Sequence, residues 1–199
     1  MSSDPRTAIL NSAGEVFARF GFKKASMEDI ARRAGVGKGS LYLHFESKEE
    51  LFEACLRLLS AQSIAEFEMA VRRAETPGAQ IRAFIQCKLE QNSRMAHRER
   101  FQMETLFELG TQARRLLPEF QQKETALLER ILAEGNAQGV MAVAAPHLVA
   151  TGLVETLWAI SGKLLTQDGT AALRAALDAY LDVFIRGLAP PRAAPPHPS

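Results

Sequence analysis

Apolar residues recur at helical spacing along most of this chain. The first stripe follows Asp4-Pro5, which predicts a helix start with the acid as cap and proline at the first position. It consists of Ile9, Ala13, Val16, Phe17 and Phe20 and is closed by Gly21. No segment alternates apolar and polar residues as a half-buried strand does, and the connections between periodic segments are short. The pattern predicts an all-α protein of about nine helices.

Two short helical patterns separated by a tight turn occupy residues 26–45. Ser26 is the predicted N-cap of the first, because its hydroxyl can accept from the free amides of the opening turn. Gly35 is predicted to end it, since a residue just past a helix end often takes a positive φ that glycine adopts without steric cost. The second helix is predicted to bury Leu41 and Phe45. This arrangement is typical of a helix-turn-helix that reads DNA.

The outward face of the second helix carries donors, a cation and an aromatic ring, and no carboxylate before Glu46. Lys38 suits a phosphate or a guanine edge, and Ser40 suits a phosphate or a base. Leu43 offers an apolar contact such as a thymine methyl. Gly39 is a poor helix former, which indicates a close approach of the helix backbone to the duplex. We therefore predict that this helix lies in a DNA groove.

The stretch GFKKASMEDIARRAGVGKGSLYLHFESKEELF resembles the N-terminal domain of the tetracycline-repressor (TetR/AcrR) family of bacterial transcriptional regulators. The resemblance runs from about Arg6 to Leu56. It rests on Gly35-Val36, Leu41-Tyr42, His44-Phe45 and Lys48, which fall in register. It implies DNA contacts by Ser26, Lys38, Ser40, Tyr42, His44 and Lys48. Glu28 and Asp29 stand where some members carry basic residues.

The rest of the chain is predicted to form a second helical domain. One long helix from Ser47 to about Ala74 leaves the N-terminal domain and enters it, with the boundary near Cys55. Residues 1–54 are the predicted DNA-binding domain and residues 55–188 a ligand-sensing and dimerisation domain. Residues 189–199 are proline-rich with little to bury, which predicts a disordered tail.

Aromatic and methionine residues on the middle helices suggest a pocket for an apolar or amphipathic small molecule, although ordinary core is the simpler interpretation for any one of them. Glu155 lies within an otherwise apolar helix and is either the polar anchor of that pocket or a hydrogen-bond partner of a neighbouring helix. The predicted ligand-binding residues are Phe67, Phe84, Met103, Phe107, Glu155 and Trp158. Cys87 is either an exposed oxidant sensor or an inert buried thiol.

Small residues on the last two long helices predict a dimer surface, unless those helices pack only internally. They are Ala150, Gly152, Ala159 and Gly162, followed by Ala172, Ala175, Ala176 and Ala179. A single helix-turn-helix domain contacts too little DNA for high specificity. The resemblance implies a twofold dimer with a four-helix interface.

Composition excludes several other classes of protein. The chain has 199 residues, 47% of them hydrophobic, and a net charge of +1, so any DNA affinity must come from locally placed cations. Its two cysteines lack ligand-like spacing, and its four histidines form no metal-binding pair. Neither a catalytic serine motif nor a complete phosphate-loop motif is present, so we expect no enzyme activity, no metal and no cofactor. Without a signal peptide or membrane span, we expect a soluble cytoplasmic protein.

These observations predict a homodimeric repressor that a small apolar or amphipathic effector releases from a palindromic operator in double-stranded DNA. A helical enzyme with a hydrophobic substrate pocket is one alternative, and a DNA-binding module without a ligand is another. A closed core without a cavity among the middle aromatic residues would favour the second alternative.

Overall fold

The computed structural model describes residues 4–98, 111–164 and 170–191. These ranges contain eight helices and no strand, which confirms the all-α prediction. The helices are α1 (Pro5–Lys24), α2 (Met27–Ala34), α3 (Lys38–His44), α4 (Lys48–Arg72), α5 (Pro77–Arg98), α6 (Leu117–Ala137), α7 (Pro146–Leu164) and α8 (Thr170–Gly187). None of these described helices is both long and apolar enough to cross a membrane.

The chain divides into two compact units. The first comprises Met1–Ser63 and Arg94–Phe120, and the second comprises Ile64–Ser93 and Gln121–Ser199. Helix α4 begins in the first unit and ends in the second. Cys55, near which the sequence predicts the domain boundary, lies in the core of the first unit. Of the predicted tail, residues 192–199 lie outside the described residues.

The core of the first unit is built from α1, α2, α3 and the beginning of α4. Phe17, Phe22 and Phe52 form an aromatic cluster with ring centroids 5.1 to 5.9 Å apart. Gly21 has φ +76°, which interrupts the regular helical backbone within α1. The sequence predicts that the helix ends at this glycine, whereas α1 continues to Lys24. The interruption lets Phe22 turn into the core, where it is buried.

The turn between α2 and α3 has the predicted geometry. The amide of Asp29 donates to Ser26 Oγ at 3.1 Å, so Ser26 is the N-cap of α2. Gly35 ends α2 with φ +69°, in the left-handed region, and the Val36 amide donates to the Ala31 carbonyl at 3.0 Å. Leu41 of α3 is fully buried. Local residue chemistry therefore fixes where both helices begin and end.

The starts of α1 and α4 differ in detail from that of α2. Asp4 occupies the N-cap position of α1, but its side chain accepts no backbone hydrogen bond there, so its predicted capping role is wrong. At α4 the amide of Glu50 donates to Ser47 Oγ at 3.1 Å, as in a capping box. The Glu50 carboxylate accepts from the amide of Glu46 at 2.7 Å rather than from that of Ser47. The hydrogen bond of the Glu50 carboxylate therefore reaches one residue earlier in the chain than in a capping box.

Cys55 is a buried thiol. Its Sγ lies 3.5 Å from the Leu10 carbonyl, and burial raises the pKa of this thiol to about 12. Because the thiolate is the reactive form, so high a pKa suppresses oxidation and alkylation at neutral pH. Cys87, in the second unit, is half-buried.

The second unit packs α5, α6, α7 and α8 with the end of α4 around one apolar core. Phe67 and Phe84 are both fully buried, with ring centroids 4.8 Å apart. Within this core Lys88 and Glu124 form a salt bridge, with Lys88 Nζ 2.6 and 2.7 Å from the two carboxylate oxygens. Trp158 Nε1 donates to the same carboxylate at 2.9 Å. Desolvation lowers the pKa of Lys88, while the negative charge of Glu124 opposes that change.

Candidate DNA-binding site

Helix α3 presents the predicted DNA-reading face to solvent. Leu43 is 87% exposed and Tyr42 is 42% exposed, whereas Leu41 on the opposite side is completely buried. Lys38 and Gly39 are exposed as well, and Ser40 and His44 are half-buried. The helix is held from behind by Leu41 and by Phe45, which follows it. The buried core therefore supports an exposed face that carries both polar and apolar side chains. None of the described residues of α3 has a carboxylate.

A shallow cavity of about 420 Å³ lies beside this face. It is lined by Ala25, Ser26, Met27, Glu28, Lys38, Tyr42, Glu46, Ser47 and Lys48. Four of the predicted DNA contacts, Ser26, Lys38, Tyr42 and Lys48, thus meet around one concavity. The other four, Gly39, Ser40, Leu43 and His44, do not line it. The starts of α2, α3 and α4 converge here, and helix N-termini favour anions such as phosphate.

Ser26 is already engaged within the protein. Its Oγ accepts from the Asp29 amide and donates to Asp29 Oδ2 at 2.7 Å. The hydroxyl therefore holds the start of α2 in place, a role that the cap pattern in the sequence predicts. If the same hydroxyl contacts DNA, it does so in addition to making these two hydrogen bonds.

Lys48 has a structural role that the sequence does not reveal. Its Nζ donates to the carbonyls of Ala25 at 3.1 Å and of Lys23 at 3.4 Å, and it lies 4.6 Å from the centre of the Phe22 ring. These contacts tie the beginning of α4 to the segment that joins α1 and α2. The cation is therefore fixed at the edge of the cavity, where a phosphate could meet it.

Lys38 forms an ion pair with Glu28. The two residues begin their respective helices, with Glu28 in the first turn of α2 and Lys38 as the first residue of α3. The hydrogen bond from Lys38 lowers the pKa of Glu28, and the same bond raises the pKa of Lys38. Both groups stay charged at neutral pH. The one cation on the outer face of α3 therefore has a carboxylate partner in the protein itself.

We expect Gly39→Ala to weaken DNA binding while leaving the fold at least as stable as before. A Cβ built at Gly39 meets nothing within 4 Å, so the protein does not itself require glycine there. Alanine in a helix interior is about 1 kcal/mol more favourable than glycine. If DNA backbone approaches this position, the added methyl group costs roughly 1–3 kcal/mol of binding free energy, about tenfold in affinity. Chemical denaturation and a DNA titration measure the two effects.

Gly14→Ala is the matched control, because Gly14 lies within α1 and its Cβ position is equally open. It should raise stability in the same way without changing DNA affinity. Wild-type DNA affinity in Gly39→Ala would contradict a close approach of the duplex to α3.

The predicted ligand-binding residues do not share one surface. Phe67 and Phe84 are buried in the core of the second unit, Trp158 is half-buried, and Glu155 is exposed on α7. Met103 and Phe107 lie outside the described residues. Four members of this set therefore have a known environment. The Lys88 ammonium lies over the rings of both Phe67 and Trp158, and Trp158 also donates a hydrogen bond to Glu124.

The buried pair of Lys88 and Glu124 was missed in the sequence, although a signal exists. Lys88 lies four residues after Phe84 and seven after Ile81, on the apolar stripe of α5. Glu124 lies between Phe120 and Leu128 at the same kind of spacing on α6. Two opposite charges on apolar stripes of different helices indicate a buried pair, because neither could be buried alone.

Comparison with known proteins agrees with this geometry. Residues 9–55 match the family described as bacterial regulatory proteins, tetR family. A segment of 88 residues is 40% identical to the HTH-type transcriptional regulator RutR of Escherichia coli, covering 44% of this chain and 41% of RutR. The chain thus matches less than half the length of this curated relative.

Solved structures extend the likeness to nearly the whole chain. A TetR-family transcriptional regulator from Pectobacterium atrosepticum is 26% identical, with a TM-score of 0.69 over 94% of this chain and 95% of that one. The structure described as a SmeT–triclosan complex is 19% identical and has a TM-score of 0.67, covering 98% and 99% of the two chains. RutR and the Pectobacterium atrosepticum protein are named as transcriptional regulators, in agreement with the expectation from the sequence. Residues 9–55 thus match the N-terminal domain of the tetR family of bacterial regulatory proteins, and the fold of the chain is similar to that of a TetR-family transcriptional regulator.

Proposed function

We propose that this protein is a transcriptional repressor that binds double-stranded operator DNA through α3. The observation that carries the proposal is the exposed face of α3, with Lys38 and Tyr42 beside a cavity formed by three helix starts. A helix of this kind fits the major groove, where its side chains reach base edges while neighbouring helix starts hold the phosphates. Since operator DNA lies in the bacterial cytoplasm, the proposal places the protein there.

Selection of duplexes from a randomised pool by the purified protein tests this function. We propose that the enriched sequences contain an inverted repeat, with half-sites one or more helical turns apart, roughly 34 to 36 Å per turn. The affinity should fall steeply with salt, because cations beside α3, such as Lys48, would displace counterions from phosphates. Failure to enrich any sequence at low ionic strength would reject the proposal.

A homodimer would supply the twofold symmetry that an inverted repeat requires. Helices α7 and α8 carry exposed apolar side chains in the single chain, with Leu148 70% exposed and Val183 72% exposed. Gly152 and Ala159 of α7 are also exposed and leave room for a helix to approach. We propose that these two helices pair with the same helices of a second copy.

We expect Val183→Glu to give a monomer with much weaker operator binding. A carboxylate in the centre of an apolar interface must be desolvated without a partner, which opposes association. Losing the second half-site removes an avidity gain of about 10²–10⁴. Sedimentation equilibrium reports the oligomeric state and a DNA titration reports the affinity.

Val140→Glu is the control, since Val140 is also exposed in the second unit but follows α6 and lies outside both proposed interface helices. This variant should remain a dimer. If Val183→Glu also remains a dimer, the pairing through α8 is wrong.

The response to an effector is the second part of the proposal. The SmeT–triclosan complex supports it, because a protein of the same fold is described there with a small molecule. Helix α4 offers a physical route: Lys48 at its start lines the DNA-side cavity, and Phe67 near its end packs in the core of the second unit. An apolar or amphipathic molecule that binds near Phe67 and Trp158 could move this helix, provided that it binds the released state more tightly.

A further inference from the structure

Glu28 places a carboxylate among the residues that are proposed to meet DNA. It lines the same cavity as Lys38, Tyr42 and Lys48, and its side chain is 67% exposed. The neighbouring carboxylate of Asp29 differs, because it is engaged by Ser26 and by Arg32. Glu28 instead pairs with Lys38, the first residue of α3, whose side chain is 58% exposed. Its negative charge therefore faces the side from which the duplex would approach.

A carboxylate and a DNA phosphate compete for the same lysine ammonium. Lysine has three N–H donors and no acceptor, so Lys38 keeps donors available while it is bound to Glu28. A phosphate that approaches Lys38 must also approach the Glu28 carboxylate, and the two negative charges repel each other. The O6 and N7 atoms of guanine accept hydrogen bonds but carry no net charge, so they meet much less repulsion.

We propose that Glu28 is a specificity-determining residue that directs Lys38 towards a base edge by making a phosphate an unfavourable partner. This inference rests on the proposed function, because it concerns how α3 discriminates between duplexes. The carboxylate lowers affinity for any DNA and raises the ratio between operator and unrelated sequence. Lys38 then contributes to sequence recognition rather than only to the electrostatic affinity that all DNA shares.

The other charges around Lys38 do not provide this effect. Glu46 lines the cavity but has no ion pair with Lys38 among the described contacts, and Lys48 is held by the carbonyls of Ala25 and Lys23. A role limited to the helix dipole is the competing explanation, since Glu28 lies in the first turn of α2. That role would affect stability but not the choice between two duplexes.

Glu28→Gln tests the proposal by salt-dependent titration of the full-length protein. The two probes are a duplex enriched by the wild-type protein from a randomised pool and a duplex with the same bases in scrambled order. With Lys38 free to take a phosphate, the slope of log affinity against log salt for the scrambled duplex should steepen by about 0.9. The ratio of operator to scrambled affinity should fall by about tenfold.

Glu15→Gln is the matched control. Glu15 is an exposed carboxylate of the same unit that pairs with Arg33, and neither residue lines the cavity. It removes the same charge and should change neither the slope nor the affinity ratio appreciably. Thermal denaturation of both variants checks that each is folded.

A double-mutant cycle with Lys38→Met shows whether Glu28 acts through Lys38. In the Lys38→Met background, Glu28→Gln should no longer change the slope or the ratio. Equal effects of Glu28→Gln in both backgrounds, or identical behaviour of Glu28→Gln and Glu15→Gln, would overturn the inference. If the wild-type protein enriches no duplex at all, the proposed function fails instead, so the two failures are distinguishable.

Discussion

Leu43→Glu is expected to abolish operator binding while leaving the protein folded. Leu43 is 87% exposed on the outer face of α3, so its replacement removes almost no packing within the chain. In a complex with DNA the new carboxylate would lie between two phosphate backbones, where like charges repel and a thymine methyl contact is lost. We expect a loss of at least about 100-fold in affinity.

The measurement is a titration of the enriched duplex at fixed salt, together with circular dichroism and a thermal melt. Leu59→Glu is the control, because Leu59 is a 48% exposed leucine in the first unit, on α4 rather than α3. It adds the same charge to the same unit and should retain most of the affinity. Near-wild-type binding by Leu43→Glu would show that α3 does not enter a groove.

Lys88→Met is expected to cause the largest loss of stability. The substitution leaves the Glu124 carboxylate in the core, 6% exposed, where the Trp158 N–H is its one remaining partner among the described residues. Removing one member of a buried ion pair typically costs about 3–5 kcal/mol, because the other charge stays desolvated and uncompensated. For a chain of this size, the melting temperature should fall by roughly 10 °C.

Arg82→Met on the same helix provides the comparison. Arg82 pairs with Asp182, but the two side chains are 34% and 50% exposed, so this substitution should cost at most about 1 kcal/mol. The double variant Lys88→Met/Glu124→Gln should recover much of the lost stability, since glutamine can still accept from Trp158 without a buried charge. Equal losses for Lys88→Met and Arg82→Met would show that the core pair contributes no more than a surface pair.

Local chemistry in the sequence was sufficient to predict the helix-turn-helix. The cap at Ser26, the left-handed turn at Gly35 and the buried side of α3 each depend on residues within a few positions of one another. Such features follow from residue type and spacing, which explains why the same residues show the resemblance to the tetR family. The exposed face of α3 follows directly from the buried face.

Contacts between helices could not be predicted in this way. The pairing of Glu28 with Lys38 depends on how α2 and α3 cross, and that of Lys88 with Glu124 on how α5 and α6 pack. The spacing of apolar residues assigns a helix a buried face but does not say which residues of other helices that face meets. For the same reason, the prediction from the sequence placed the exposed Glu155 in one pocket with the buried Phe67 and Phe84.

The position of Lys48 has a consequence for how substitutions in this region are interpreted. Its ammonium group donates to two backbone carbonyls, which leaves one of its three N–H groups for a phosphate. Losing the charge would release the segment that joins the first two helices and would remove a phosphate partner at the same time. A mutational scan that measures DNA binding alone would therefore overestimate how much the direct contact of this lysine with the duplex contributes to affinity.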